Sequence, residues 1–128
     1  MIPKVSTTTP SVRPPYSSTG TPDAIKQEVY NNGPVTVAIT VNDDITYYGG
    51  GILPSTVCSN DPLRFDHSVV IVGWKKDACG SGKEYWIIKN SWGDDDWGEA
   101  GYMKMEISTG YGACLVNYYP IGPVIAWP

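Results

Sequence analysis

The order of apolar and polar positions predicts one short helix near the start of the folded region. Thr21-Pro22-Asp23 is a favourable helix start, with Thr as the N-cap, proline in the first turn and an acid near the positive end of the helix dipole. Ile25 and Val29 lie four residues apart and share one face, and Gly33-Pro34 ends the helix near Asn32. A helix of this length needs a surface to pack on, because short helices are marginal in water.

The rest of the chain has the pattern of β-structure. Segments rich in β-branched, apolar and aromatic residues predict strands at 35–41, 67–74, 84–90, 101–107 and 113–120. NDDITYYGGG, after the first strand, favours a helical turn and a reversal, and KKDACGSGK has the composition of a hairpin loop. The predicted fold class is α+β, with an antiparallel twisted sheet or partial β-barrel and one short helix.

Length and charge limit the number of domains and the kinds of binding partner that the chain can have. The 128 residues suffice for one domain, which we place at 21–128 after a Pro/Ser/Thr-rich lead-in at 1–20. The net charge of −4, with no basic cluster, argues against binding of nucleic acid or an anionic membrane. No apolar run approaches the ~20 residues of a membrane-spanning helix, and the N-terminus has no hydrophobic signal-peptide region.

The single histidine limits where imidazole chemistry can occur. His67 opens one predicted strand and Asn90 ends the next, so antiparallel pairing predicts that the two positions face each other. An asparagine carbonyl that accepts from one ring nitrogen would leave the other nitrogen for acid–base chemistry. Trp92 and Trp97 flank this pair and would exclude water from it. The alternatives are a structural histidine at a strand start and an ordinary strand-to-turn exit at 90–93.

Five segments then show a family resemblance, over about residues 23–116. GPVTVAITV, YYGGGIL, DHSVVIVGW, YWIIKNSWG and WGEAGYMKM resemble, in this order, the C-terminal sheet half of papain-like cysteine proteases, their right-hand domain. The resemblance implies that His67 is the general base and ion-pair partner of a catalytic thiolate. It also implies that Asn90 orients the imidazole, that Trp92 shields their contact and that Trp97 lines the leaving-group side of the cleft.

The same resemblance implies residues that bind a peptide substrate and a disulfide. Ala38 and Ser68 would line the main specificity pocket, and the carbonyl of Asp66 would hold the substrate backbone. Cys58 and Cys114 would form the disulfide of this half, although Ala38 could also be plain strand core and Cys58 a lone buried thiol. No cofactor and no metal are expected, and the resemblance implies a lysosomal, vacuolar or secreted location.

The nucleophile is where the sequence departs from the family pattern. Papain-like proteases carry it on an N-terminal helical domain, in a motif like Cys-Gly-Ser-Cys-Trp that these 128 residues do not contain. Cys79 begins the similar letters CGSG, but it lies in the loop between the His67 strand and the Asn90 strand. We therefore expect it to lie more than about 20 Å from His67, at the opposite end of the strand pair.

Two main hypotheses about function follow from this departure. The first is a cysteine-type peptidase domain whose thiol comes from a missing N-terminal helical half or from another chain, so that this chain alone is inactive. The alternative is a non-catalytic, papain-like structural or binding module, a pseudoenzyme that docks a partner protein on the face bearing His67 and Trp92. A third, weaker hypothesis makes Cys79 itself the nucleophile.

Overall fold

The computed structural model describes residues 21–62, 64–118 and, as backbone, 120–123. Helix α1 spans Pro22–Asn32 as predicted, and the Thr21 hydroxyl accepts a hydrogen bond from the Ala24 N–H at 3.1 Å. Gly33 closes the helix with a φ of 101°, a left-handed value that glycine adopts without strain. Ile25 is 2% exposed, and α1 packs against strands of the sheet. This helix is therefore held by tertiary packing as well as by its caps.

Six strands form one open sheet. They are β1 Val35–Ile39, β2 Ile52–Leu53, β3 His67–Lys76, β4 Glu84–Lys89, β5 Tyr102–Glu106 and β6 Pro120–Pro123. Their order across the sheet is β2-β5-β4-β3-β1-β6, and every pairing is antiparallel except that of β2 with β5. The predicted α+β class is confirmed, with one short parallel pair in an otherwise antiparallel sheet. The short helix α2, Asp43–Thr46, is the helical turn expected after β1.

The hydrophobic core covers one face of this sheet. Trp86 and Ile88 of β4, which are both fully buried, stand opposite Met105 and Met103 of β5. The intervening positions of each strand are more exposed, as the alternation along a pleated strand requires. Met103 and Met105, which alternate with the polar positions of the strand predicted at 101–107, are thus its buried side chains.

The prediction of a last strand at 113–120 is wrong. Residues Ala113–Leu115 form a short 3-10 helix, and Cys114 and Leu115 have φ values of 52° and 69°, which no strand contains. Cys114 is held there by its disulfide to Cys58 and by the hydrogen bond from the Thr40 N–H to its carbonyl. The cross-link expected from the family resemblance is thus present, and it overrides the apolar pattern of the segment.

Two further features of the described chain bear on function. No helix in it is long and apolar enough to cross a membrane. Within the same residues, no group of three His, Cys, Asp or Glu side chains is arranged to hold a metal ion.

Candidate active site

A hydrogen bond joins His67 to Asn90 at one end of the sheet. His67 Nε2 lies 2.8 Å from Asn90 Oδ1, and Asn90 is only 4% exposed. The same Oδ1 accepts the Ser91 backbone N–H at 2.7 Å. Because a backbone N–H can only donate, this atom is the carbonyl oxygen and not the amide nitrogen, so Nε2 must carry the shared proton. A neutral His67 ring therefore has its lone pair on Nδ1.

A β-bulge determines that these two side chains share a face. The expectation that position 67 stands directly opposite position 90 is wrong in detail, because Val70 pairs with Lys89. Continuing this register by one residue places Val69 opposite Asn90, so His67 is a diagonal neighbour two residues away.

The register nearer the hairpin loop would not give this arrangement. There Trp74 pairs with Trp86, and the register shifts between Ile71 and Gly73. Without the shift, Asn90 would stand opposite Val70 and would share a face with it instead of with His67. The extra residue in β3 thus aims both side chains to one side, which is a common use of bulges beside functional sites.

One tryptophan covers the imidazole, and a second packs against the first. The half-buried His67 ring stacks on Trp92, with ring centroids 4.9 Å apart and planes 26° apart. Trp97 meets Trp92 edge to face at 5.3 Å and is itself only 7% exposed. The Trp97 indole N–H donates to the carbonyls of Ile45 and Thr46 at 2.9 and 3.1 Å. Apolar rings around a hydrogen-bonded pair lower the local dielectric and strengthen the bond.

The remaining predicted site residues lie beside His67, Asp66 and Ser68 along the chain and Ala38 across the strands. Ser68 is exposed and pairs across the strands with Ala38, which is 9% exposed, and the strand alternation puts this pair on the face opposite to His67. The Asp66 carboxylate accepts the Val41 N–H at 3.1 Å and forms an ion pair with Arg64 at 3.4 Å. Asp66 therefore fixes the entry into β3 directly before His67.

The cysteines lie away from this imidazole. Cys79 is an exposed free thiol in the loop after β3. Ten residues of β3, from His67 to Lys76, extend about 25–30 Å at ~3.3 Å per residue. Cys79 is therefore at the far end of the strand, as expected. Cys58 and Cys114 are bonded to each other, so none of the three cysteines offers a thiol to His67 within this chain.

One residue that contacts the site was not predicted from the sequence. Tyr48 is 6% exposed, and its ring lies 5.5 Å from that of Trp97. Burial raises the pKa of its hydroxyl to about 12. Its neighbour Tyr47 is 80% exposed. Two adjacent tyrosines in a turn-rich segment carry no periodic signal, so the sequence alone could not show which of them is buried.

Comparison with known proteins identifies the family. The chain belongs to the papain family of cysteine proteases, because the family model, Papain family cysteine protease, matches residues 4–124. Pro-cathepsin H of Medicago truncatula is 39% identical over 103 residues, which are 80% of this chain and 28% of the relative. Fruit bromelain of Ananas comosus is 34% identical over 97 residues, with 74% of this chain and 26% of the relative covered.

Solved structures agree in fold. The bromelain protease from Ananas comosus, in an inhibitor complex, matches with a TM-score of 0.68 and 30% identity over 85% of this chain and 50% of that one. Digestive procathepsin L 3 of Tenebrio molitor matches with a TM-score of 0.66 and 29% identity, over 84% and 34% of the two chains. The present chain spans about a quarter of the curated relatives it matches and half or less of these structures.

Proposed function

We propose that this chain is the histidine- and asparagine-bearing domain of a cysteine-type peptidase, which hydrolyses peptide bonds with a thiolate that another part of the enzyme supplies. The observation that carries the proposal is the Nε2–Oδ1 hydrogen bond between His67 and Asn90, covered by Trp92. This bond holds the ring in one orientation and leaves Nδ1 as the basic nitrogen. An oriented imidazole base is what an activated thiol nucleophile requires.

The proposed chemistry runs through His67 Nδ1. This nitrogen takes the proton of the incoming thiol, and the thiolate attacks the peptide carbonyl carbon. The protonated ring then gives its proton to the leaving amine, and an acyl-thioester remains. His67 next removes a proton from water, which attacks the thioester carbonyl; the C–S bond breaks, the protonated ring returns its proton to the departing sulfur, and the carboxylic acid product leaves. Asn90 stabilises the charged ring in both halves of this cycle, since it accepts from Nε2 throughout.

The substrate contacts are proposed by position. Ala38 and Ser68 pair across β1 and β3 at the strand end that carries His67, and they would line a specificity pocket on the face opposite to the imidazole. The Asp66 carbonyl would accept a hydrogen bond from the substrate backbone. The ion pair with Arg64 and the bond to the Val41 N–H support this role, because they hold the Asp66 side chain in place. Trp97 would border the leaving-group side, beside Trp92.

The thiol would come from an N-terminal helical half, in the same precursor or on a separate chain. The relatives support this proposal, because the present chain matches only about a quarter of their length. That half would dock on the surface bearing His67 and Trp92. Cys79 is not proposed as the nucleophile, since it lies at the far end of β3 from His67.

The proposal is tested on the natively purified chain together with any polypeptide that travels with it. Intact mass shows whether that polypeptide contains a Cys-Gly-Ser-Cys-Trp segment, and a dipeptidyl reporter amide measures thiol-dependent hydrolysis. We expect His67→Ala to lower the rate by ~100-fold or more, as loss of a general base does. Lys75→Ala, an exposed change at the other end of β3, serves as the matched control and should have no effect.

The second candidate is a non-catalytic module, favoured by the lack of any thiol near His67 within this chain. Such a module would bind a partner through the same face and hydrolyse nothing. A co-purifying partner without a cysteine motif, and no reporter hydrolysis, would support it and would contradict the peptidase proposal. Hydrolysis that survives His67→Ala would contradict the proposed mechanism.

A further inference from the structure

Tyr48 connects two parts of the chain that are distant in sequence. Its hydroxyl donates to the carbonyl of Gly51 and accepts the Lys104 N–H of β5 at 3.2 Å. Glu99 reinforces this connection, since its carboxylate accepts the Gly51 N–H at 2.9 Å and forms an ion pair with Lys104 at 3.4 Å. The segment that follows α2 is thereby fixed to the sheet at a defined place.

Trp97 is held by α2 and by Tyr48, which lies just after it. Its indole N–H binds the last carbonyls of α2, those of Ile45 and Thr46, and its ring contacts the Tyr48 ring. The backbone at the next residue, Gly98, is closely packed. A Cβ added at Gly98 would lie 2.6 Å from the Tyr102 carbonyl oxygen and 3.4 Å from the Tyr48 ring. Trp97 is therefore fixed on one side by hydrogen bonds and on another by packing against Tyr48.

Trp92 packs at the edge of the hydrophobic core, in an otherwise exposed loop. The residues from Ser91 to Asp96 are exposed except Trp92 itself, which is half-buried. The ring contacts of Trp92 in the described chain are those with His67 and with Trp97. Because the neighbouring loop residues are exposed, the packing that sets the Trp92 ring over His67 comes from the hydrophobic core, to which Trp97 belongs.

We propose that Tyr48 is a positioning residue for the His67–Asn90 pair and acts through Trp97 and Trp92. The hydroxyl fixes the turn that packs against Trp97. Trp97 in turn holds the Trp92 ring in position, and the stacked Trp92 ring holds the plane of the imidazole. The pKa of about 12 keeps the hydroxyl protonated, so its bond to the Gly51 carbonyl persists over the whole pH range in which a histidine titrates. Any effect on hydrolysis rests on the proposed function, whereas the effect on the His67 ring does not.

The test uses Tyr48→Phe, which keeps the ring and removes only the hydroxyl. His67 is the single histidine of the chain, so its ring protons give one assignable set of NMR signals, displaced by the stacked indole. Trp92→Leu defines their positions without stacking. We expect Tyr48→Phe to move the His67 signals measurably toward those positions. Tyr85→Phe, the same chemical change at a β4 tyrosine near the hairpin loop, is the control and should leave them unchanged.

Two results would overturn the proposal. The first is a folded Tyr48→Phe chain whose His67 signals coincide with those of the unmodified chain. The second is a lack of through-space magnetisation transfer between the Tyr48 and Trp97 rings or between the Trp92 and Trp97 indoles. This measurement needs no variant, so it tests the proposal even if Tyr48→Phe fails to fold. In the assembled peptidase we expect kcat to fall with KM unchanged. An inactive assembly would contradict the proposed function, while the NMR result would still decide the role of Tyr48.

Discussion

Replacing Asn90 by alanine tests the contact on which the candidate site depends. The change removes the oxygen that accepts from both His67 Nε2 and the Ser91 N–H. It leaves the Ser91 N–H without its acceptor and lets the imidazole rotate. The backbone N–H of residue 90 keeps its bond to the Gly101 carbonyl, so the strand exit itself should persist.

The size of the effect on stability follows from these contacts. Two hydrogen bonds at about 0.5–1.5 kcal/mol each set a loss of about 1–3 kcal/mol. Asn90 Nδ2, however, is buried and has no acceptor among the described residues, so its removal offsets part of this loss. We therefore expect the free energy of unfolding to fall by about 1–2 kcal/mol, which lowers Tm by roughly 3–8 °C in a domain of this size.

The effect on the imidazole is measured separately. In the unmodified chain the Nε2 proton is held in a bond to a buried oxygen, so it should exchange slowly and give its own NMR signal. In Asn90→Ala that signal should broaden by exchange with water. In an active assembly the rate should fall by roughly 10–150-fold, because a hydrogen bond to a charged group contributes about 1.5–3 kcal/mol.

A matched change at the next residue provides the control. Ser91→Ala alters an exposed side chain and keeps the backbone N–H that binds Asn90. It should leave both the stability and the Nε2 proton as they are. A slowly exchanging Nε2 proton in Asn90→Ala, or a loss of stability no larger than that of Ser91→Ala, would contradict the role given to this hydrogen bond.

Three further outcomes are expected from other parts of the fold. Replacing Cys58 and Cys114 together by alanine should lower stability in urea by about 4 kcal/mol, because their bond closes a loop with a sequence separation of 56; a loss below about 1 kcal/mol would contradict this entropic account. Cys79→Ser should change stability by less than about 0.5 kcal/mol, as exposed substitutions do, and should not alter hydrolysis; loss of activity would return Cys79 to consideration as the nucleophile. The raised pKa of Tyr48, about 12 against an ordinary 10.0, stabilises the fold fully below pH 10, and this contribution is lost as the pH rises toward 12. The free energy of unfolding, measured from pH 9 upward, should thus fall more steeply with pH than in Tyr48→Phe, and parallel curves would contradict the assignment.

Much of the fold was accessible from local sequence. Helix α1 carries its own start and stop signals, and the strand predicted at 101–107 contains β5, Tyr102–Glu106. Residues 113–120 failed as a strand prediction. Their apolar pattern is compatible with a strand, but the disulfide at Cys114 and two left-handed backbone positions decide otherwise. A pattern of hydrophobic residues indicates which side chains are buried. It does not indicate the disulfide that fixes the backbone conformation at Cys114.

At the site, the sequence determined the participants and the tertiary structure determined their arrangement. The single histidine, the Asn90 that ends the next strand and the adjacent tryptophans were readable, because strand periodicity brings such positions to one end of a sheet. Their shared face depends on the bulge between Ile71 and Gly73, and the support of Trp97 depends on Tyr48. The bulge is a shift of register between two strands, and the Tyr48–Trp97 contact joins residues that are distant in the chain. Both features stabilise the site only once the sheet has assembled.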